Sequence, residues 1–194
     1  MTRLIAGRLR STRLAVPDAG TRPTTDRVRE AMFSAIESRL DLDGTFVLDL
    51  FSGSGALGLE ALSRGAETAD FFESGGSAAR ILQGNIDTAR AALGAPRASL
   101  ALHRAALPGA IDGPCPRDGG YDLVLIDPPY EQVEQQVPEI LDRLIAHAWL
   151  SDIAHVVVES SVRSAVIDWP CGMTSEFSRT YGETRVDIGV VEDR

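Results

Sequence analysis

Residues 49–58 read Asp-Leu-Phe-Ser-Gly-Ser-Gly-Ala-Leu-Gly, and they join an apolar strand-like run, Thr45–Leu50, to a helix-like segment. Glycine lets a backbone approach a ligand closely, and the first turn of a helix favours an anion. The spacing Gly53-x-Gly55-x-x-Gly58 also fits the dinucleotide fingerprint, which is weak evidence when it stands alone. These residues therefore predict a nucleotide-type ligand where a first strand passes into a first helix.

Strand and helix patterns alternate along the rest of the chain. Apolar strand patterns recur at Thr68–Glu73, Ser99–Arg104, Tyr121–Asp127 and His155–Glu159, and helical patterns lie between them at Ser77–Ala92 and Val133–His147. Such alternation predicts an α/β fold with a mostly parallel, doubly wound sheet. The chain closes on a predicted hairpin, Ser175–Arg179 and Arg185–Val191, which turns at Tyr181-Gly182-Glu183 and would add an antiparallel edge.

The first 40 residues differ from the rest in charge. Short strands are predicted at Leu4–Ala6 and Thr12–Val16, and Thr24 or Thr25 can cap a helix that runs from Asp26 to Leu40. This segment holds eight arginines and four acids, whereas the whole chain has a net charge of −9. We therefore expect a small basic extension, residues 1–40, ahead of an acidic domain, residues 41–194.

Two carboxylates narrow the choice of ligand. Asp49 precedes the first glycine by four residues and can hold the ammonium of a cofactor that carries an amino acid. Glu73, at the end of the second strand, can accept hydrogen bonds from ribose hydroxyls. S-adenosylmethionine has both features, whereas a nicotinamide oxidoreductase lacks support because the chain contains no lysine for a Tyr–Lys pair. The predicted cofactor-binding residues are Asp49, Phe51, Ser52, Gly53, Gly55, Glu73 and Asp127, and the family resemblance described below adds Ala105.

A second motif, Asp127-Pro128-Pro129-Tyr130, ends the most hydrophobic strand. The Asp127 carboxylate and the Pro128 carbonyl can accept the two hydrogens of an amino group, and the prolines hold the backbone rigid. Tyr130 offers a flat face on which a base can stack. These four residues are the predicted catalytic set, and they indicate methyl transfer to an exocyclic amine of a nucleic-acid base.

Other features of the sequence bear on location and on metals. No apolar run approaches the roughly 18 residues of a membrane helix, and the N-terminus lacks the apolar core of a signal peptide. The two cysteines and three histidines lack metal-ligand spacing. We therefore expect a cytoplasmic protein with no metal site and no membrane partner.

Five blocks of the chain resemble the RsmD family, the bacterial 16S ribosomal RNA guanine-N2 methyltransferases. They are Ile5–Leu14 followed by Pro17, Arg22–Phe33, Asp49–Gly65, Asp127–Tyr130 and Tyr181–Thr184. The second block, reading RPTTDRVREAMF, separates this family from other methyltransferases. The chain departs from the family at Gly75, where an acid is usual, and at Ala105, where Gly-Asp-Ala is common nearby. The adenine contacts expected near Ala105 are therefore mostly backbone contacts.

The resemblance implies a class I, Rossmann-like methyltransferase fold with seven strands and S-adenosylmethionine as the methyl donor. It implies that the substrate is one guanine of 16S ribosomal RNA, methylated in an assembled or assembling 30S subunit. We expect the protein to be a monomer. The basic extension would then grip RNA phosphates through Arg8, Arg10, Arg22, Thr25, Arg27 and Arg29. The alternatives are a DNA adenine-N6 or cytosine-N4 methyltransferase, for which a target-recognition domain is missing, and a non-catalytic RNA-binding assembly factor. A protein glutamine methyltransferase would carry Asn where Asp127 stands.

Overall fold

The computed structural model describes residues 1–17, 25–94 and 100–192, and within these ranges strands and helices follow the predicted order. The strands are β1 (Thr2–Arg3), β2 (Arg13–Leu14), β3 (Phe46–Leu50), β4 (Thr68–Phe72), β5 (Leu100–His103), β6 (Tyr121–Ile126), β7 (Leu150–Ser161), β8 (Met173–Tyr181) and β9 (Thr184–Val191). The helices are α1 (Asp26–Glu37), α2 (Ala56–Arg64), α3 (Gly76–Leu93) and α4 (Val133–Ala146).

Seven of these strands form one sheet in the order β5-β4-β3-β6-β7-β9-β8, while β1 and β2 form a separate two-stranded antiparallel sheet. The large sheet is mostly parallel and ends in an antiparallel hairpin, which confirms the predicted fold class. The chain divides into two compact units, Met1–Ala105 and Ala106–Arg194. The predicted division at residue 40 stays a prediction.

In the first unit, β3 pairs with β4 and β4 with β5, both in parallel, so that the three carboxyl ends meet at one edge. The register places Asp49 opposite Phe71 and Phe72 opposite His103. Helices α2 and α3 bury apolar side chains in the core of this unit, among them Leu59, Leu62, Leu82 and Ile86. Nearly every residue of α2 is buried, because the N-terminal segment covers the helix as well.

In the second unit, β6 pairs in parallel with β7, and β9 pairs antiparallel with both β7 and β8. Strand β6 is apolar and almost fully buried, as its continuous run of Leu, Val and Ile predicted. Strand β7 is longer than the predicted His155–Glu159 because pairing with β6 begins at Leu150 and pairing with β9 extends to Ser161. The terminal hairpin turns at Gly182, which has a φ of 64°, as the sequence predicted.

The N-terminal strands differ from the prediction. Strand β1 lies at Thr2–Arg3, outside the predicted Leu4–Ala6, because the amides of Ile5 and Ala6 bond to a side chain of α2 in place of a strand partner. Strand β2, Arg13–Leu14, lies within the predicted Thr12–Val16 but is shorter. Helix α1 begins at Asp26 with Thr25 as its N-cap, as expected. It ends at Glu37, three residues before the predicted end, where side chains of Ser38 and Arg39 bond the Ala35 carbonyl.

Within the described ranges, none of the helices combines the length and the apolar character that crossing a bilayer requires.

Candidate active site

The glycine-rich loop between β3 and α2 has an unusual backbone. Phe51, Gly53 and Gly55 have φ angles of 61°, 54° and 78°, all in the left-handed region. Glycine adopts this region freely, whereas a phenylalanine there is strained, and such strain concentrates at functional sites. Ser52 anchors the loop to the sheet, since its amide donates to the Phe72 carbonyl at 3.0 Å. The predicted cofactor-binding residues Phe51, Ser52, Gly53 and Gly55 therefore lie together in one turn, whose backbone is left-handed at three positions.

Asp49, the last but one residue of β3, lies beneath this loop with 1% of its surface exposed. Its Oδ2 accepts a hydrogen bond from the Gly58 amide at 2.9 Å. Burial raises the pKa of Asp49 to about 7, the Gly58 hydrogen bond opposes the rise, and the charge of Glu73 adds to it. A methyl group at Gly58 would overlap the Phe71 ring, which explains why the third position of the motif is glycine.

Glu73 follows β4 and contacts the loop directly. Its Oε2 accepts from the Gly53 amide at 2.9 Å, and its Oε1 accepts from the Gly75 amide at 2.6 Å. Each carboxylate oxygen keeps a further lone pair, so the fixed carboxylate can still accept hydrogen bonds from two hydroxyls. The Glu73 amide bonds to the His103 carbonyl at 3.1 Å, which joins the end of β4 to that of β5. Ala105 follows two residues after β5, half-buried at the end of the first unit.

The structure also tests whether this loop can receive a cofactor. A methyl group built on Gly53 would meet nothing nearer than the Phe51 carbonyl oxygen at 4.0 Å, so the loop backbone is open to a ligand there. The acceptors of Glu73 and the charge of Asp49 are suited to ribose hydroxyls and to an ammonium. Because Asp49 is buried, its carboxylate is not open to direct contact with an ammonium. Its negative charge would instead attract the ammonium across the loop. The residues present fit an amino-acid-bearing nucleoside.

In the second unit, Asp127-Pro128-Pro129-Tyr130 follows directly on β6. Asp127 is half-buried, Pro128 is buried and Pro129 is exposed. Tyr130 begins a short 3-10 turn, Tyr130–Gln132, in which the Gln132 amide donates to the Pro129 carbonyl at 2.8 Å. The Tyr130 side chain is 41% exposed, so part of it is open to solvent.

The predicted RNA-binding residues have different environments. Arg8, Arg10 and Arg27 are exposed, and Thr25 is exposed while its hydroxyl accepts from the Val28 amide at 3.3 Å. Arg22 lies outside the described residues. The turn that carries Arg8 and Arg10 is held on α2, where the Arg8 amide donates to the Ser63 carbonyl at 2.6 Å. These exposed arginines are therefore presented on a fixed backbone.

Arg29 differs from the prediction made for it. Its side chain is 1% exposed and faces the interior of the first unit, where it bonds to Asp26 Oδ1 at 3.0 Å and to the Arg3 carbonyl. Burial lowers its pKa, while the nearby charges of Glu60 and Asp26 oppose that change. Arg29 is therefore an internal cation that joins α1 to the N-terminal strand, in place of the RNA contact predicted from the sequence.

Sequence reasoning missed the acid that organises this region. Glu60 on α2 has no exposed surface and accepts hydrogen bonds from the Ile5 amide at 2.8 Å and the Ala6 amide at 3.0 Å. It also bonds to Arg64 Nε at 2.8 Å. The signal in the sequence was a charged residue inside the apolar helix run Leu57–Leu62, which an amphipathic surface helix would not place there.

Comparisons with known proteins agree with this geometry. The family model described as "Conserved hypothetical protein 95" matches residues 2–190. The "Ribosomal RNA small subunit methyltransferase D" of Escherichia coli K12 is 34% identical over 182 residues, covering 93% of this chain and 85% of that protein. The "Putative rRNA methyltransferase YlbH" of Bacillus subtilis is 33% identical over 191 residues, covering 96% and 97%.

A solved structure, "Putative methyltransferase yhhF from Escherichia coli", superimposes with a TM-score of 0.84 at 30% identity and covers 100% of this chain and 99% of its own. The likeness therefore extends over the N-terminal segment, the glycine-rich loop and the terminal hairpin alike. A family model, close relatives and a solved fold that each span nearly the full chain show that this protein belongs to the RsmD family of methyltransferases.

Proposed function

We propose that this protein transfers a methyl group from S-adenosylmethionine to the exocyclic N2 of a guanine in the RNA of the small ribosomal subunit. The observation that carries the proposal is the match over 93% of the chain to a protein named for methylation of that RNA. Membership of this methyltransferase family supports S-adenosylmethionine as the cofactor.

In the first unit, the glycine-rich loop and Glu73 would hold the cofactor. Glu73, fixed by the amides of Gly53 and Gly75, accepts the ribose hydroxyls. Asp49 supplies a negative charge that favours the cofactor's ammonium, and the N-terminus of α2 favours its carboxylate. Ala105 lies near the end of β5, where its backbone can contact the adenine.

In the second unit, Asp127 and Pro128 would orient the amine. The cofactor supplies a methyl group on a positively charged sulfur, already activated for attack. The Asp127 carboxylate and the Pro128 carbonyl accept the two N–H groups of the amine, so that its lone pair leaves conjugation with the ring. The nitrogen would gain a bond to the methyl carbon while the bond between that carbon and sulfur breaks, with its electron pair left on sulfur as a neutral thioether. The nitrogen would also lose a proton, which passes to Asp127 or to water. Alignment of this kind accounts for a large part of a transfer rate.

Tyr130 and the exposed arginines would contact the RNA. The exposed side chain of Tyr130 can stack on the target base, which a paired guanine presents only after leaving its helix. Arg8, Arg10 and Arg27 can pair with phosphates, and a fixed backbone lowers the entropy that each pairing costs. We retain Arg22 and Thr25 as proposed RNA contacts.

The test is methyl transfer from labelled S-adenosylmethionine to 30S subunits from a strain that lacks this protein. Naked 16S RNA, duplex DNA and a mixture of ribosomal proteins serve as parallel substrates. We expect N2-methylguanine in 30S RNA, with Asp127→Ala lowering the rate at least about a hundredfold, as is typical when a group that aligns a reacting atom is lost. Asp142→Asn, an exposed acid on α4, is the matched control and keeps its rate.

Label in DNA would favour a DNA amino-methyltransferase and contradict the proposal. Cofactor binding without label in any substrate would indicate a non-catalytic assembly factor. Near-full turnover by Asp127→Ala would leave the reaction intact and would refute the role assigned to that carboxylate.

A further inference from the structure

Helix α3 buries one polar side chain among apolar ones, and the proposed function does not use it. The buried residues of α3 are Ala79, Leu82, Ile86 and Ala89 together with Asn85, which is 5% exposed. An amide in such a place costs free energy unless it is hydrogen-bonded. The partners of Asn85 therefore indicate what the residue does.

Asn85 joins two segments that are far apart in sequence. Its Oδ1 accepts from the Ala15 amide at 2.9 Å, and its Nδ2 donates to the Ala15 carbonyl at 2.9 Å. The side chain thus pairs with Ala15 as a neighbouring strand would. The second hydrogen of Nδ2 goes to the Ser54 carbonyl at 2.8 Å, in the centre of the glycine-rich loop. Both donors of the amide are used, and each holds a different segment.

The contact with Ser54 bears on the shape of the loop. Ser54 lies between Gly53, whose amide bonds to Glu73, and Gly55, whose amide bonds to the Ser52 carbonyl at 2.6 Å. Leu82, one turn before Asn85, packs against Gly55 so closely that a methyl group there would overlap it. Helix α3 therefore supports the loop at two consecutive points, one apolar and one polar.

We propose that Asn85 is a positioning residue that fixes the loop Ser52–Gly55 and ties it to the N-terminal segment at Ala15, so that docking of that segment strengthens cofactor binding. The inference rests on the proposed function only in taking this loop as the cofactor site. Loss of the Ala15 contact frees the amide to turn away from Ser54, and the loop then loses the hydrogen bond that orients its central peptide. Linkage is reciprocal, so cofactor binding in turn strengthens docking of the N-terminal segment.

Three variants separate these contacts. Asn85→Asp keeps the shape and the acceptor for the Ala15 amide, but it faces the carbonyls of Ala15 and Ser54 with a carboxylate. Asn85→Ala removes all three hydrogen bonds. Ala15→Pro removes the amide that donates to Oδ1, at an exposed residue, and it leaves the two acceptors of Nδ2 in place. Gln83→Ala is the matched control, because it truncates another amide of α3, whose bond to Asp87 lies at the surface.

The readouts are the dissociation constant of S-adenosylhomocysteine, measured by calorimetry, and amide hydrogen exchange of residues 50–57 in the ligand-free protein. A lost buried hydrogen bond is expected to weaken binding about tenfold in both Asn85 variants and to speed exchange of the loop. Ala15→Pro changes both quantities in the same direction, by about threefold or more. Gln83→Ala leaves both unchanged.

A folded Asn85→Asp protein with wild-type affinity and loop exchange would overturn the inference, as would Ala15→Pro with both readouts unaltered. Ala15→Pro decides the matter alone if the Asn85 variants fail to fold. Failure of the wild-type protein to methylate 30S RNA would contradict the proposed function, yet it would leave the binding and exchange results, and hence this inference, standing.

Discussion

Arg29 of α1 and Glu60 of α2 form a buried ion pair, with Nε and Oε2 3.9 Å apart and side chains 1% and 0% exposed. The same carboxylate receives the amides of Ile5 and Ala6 and the guanidinium of Arg64. One acid therefore holds together α1, α2 and the N-terminal segment. Such a centre is costly to disturb, because each partner loses its counter-charge or its acceptor inside the protein.

Glu60→Gln removes the charge but keeps the size of the side chain. The buried guanidinium of Arg29 then loses the charge of Glu60 and keeps that of Asp26, and Arg64 and the amides of Ile5 and Ala6 lose a charged acceptor. We expect the free energy of unfolding to fall by about 3–5 kcal/mol. Urea unfolding measures the loss. Glu37→Gln is the control, since that exposed acid also pairs with Arg64 but should cost no more than about 1 kcal/mol. Equal effects of the two substitutions would contradict the central role of Glu60.

Gly7→Ala tests the docking of the arginine-bearing turn. Gly7 has a φ of 75°, and a methyl group on it would overlap the Ser63 carbonyl oxygen. We expect the turn to leave α2, which exposes the amides of Arg8 and Leu9 to faster hydrogen exchange. Gly44→Ala is a matched control with the same φ of 75° and open space around it, so it carries the backbone strain without the clash. If the amides of Arg8 and Leu9 exchanged at similar rates in the two variants, the predicted clash of Gly7→Ala with Ser63 would be refuted.

Asp49 should make stability depend on pH. Its pKa rises from 3.8 to about 7 on folding, so between these values the folded protein binds more protons than the unfolded chain. Stability from this group is therefore present at low pH and is lost as pH rises to about 7. The difference in unfolding free energy between wild type and Asp49→Asn should shift by roughly 4 kcal/mol across this window, at about 1.4 kcal/mol per pKa unit. If the difference in unfolding free energy between wild type and Asp49→Asn stayed constant across this pH range, the pKa shift of Asp49 would be refuted.

Cofactor affinity should respond to pH with the opposite sign. The ammonium of the cofactor favours the charged form of Asp49, and below pH 7 that form requires release of a proton. Affinity for S-adenosylmethionine is therefore expected to rise between pH 6 and 8, by up to about tenfold per pH unit below the pKa. Calorimetry in buffers of different ionisation enthalpy detects the released proton. An Asp49→Asn variant with the same pH dependence would assign the proton to another group.

Arg8→Gln and Arg10→Gln should each weaken RNA binding and its dependence on salt. A lost phosphate contact lowers the slope of log affinity against log salt by about 0.7–0.9. Arg163→Gln, at a strongly exposed position in the second unit, is the control and should keep the slope. Arg29→Gln should instead lower stability, because this arginine is buried. If Arg29→Gln lowered the slope by about 0.7–0.9 without loss of stability, the RNA contact predicted for Arg29 would be restored.

The sequence by itself determined the order of strands and helices, the glycine-rich turn, a threonine cap at Thr24 or Thr25 and the hairpin at Gly182. Each depends on neighbours within a few residues, so apolar periodicity, a capping hydroxyl or a glycine is enough to predict it. The carboxyl-end positions of Asp49, Glu73 and Asp127 follow for the same reason, since each comes at the end of a clear apolar strand.

The tertiary structure alone decided which polar side chains turn inward. Arginine is usually a surface residue, but Arg29 is buried beside Glu60, which lies 31 positions later in the chain. Asn85 bonds to Ala15, which lies 70 positions earlier. Similarly, the left-handed backbone of Phe51 follows from the bonds that fix the loop around it and from no local preference. These features depend on partners brought together only by folding, where a buried donor or charge must find an acceptor or a counter-charge because water cannot supply one.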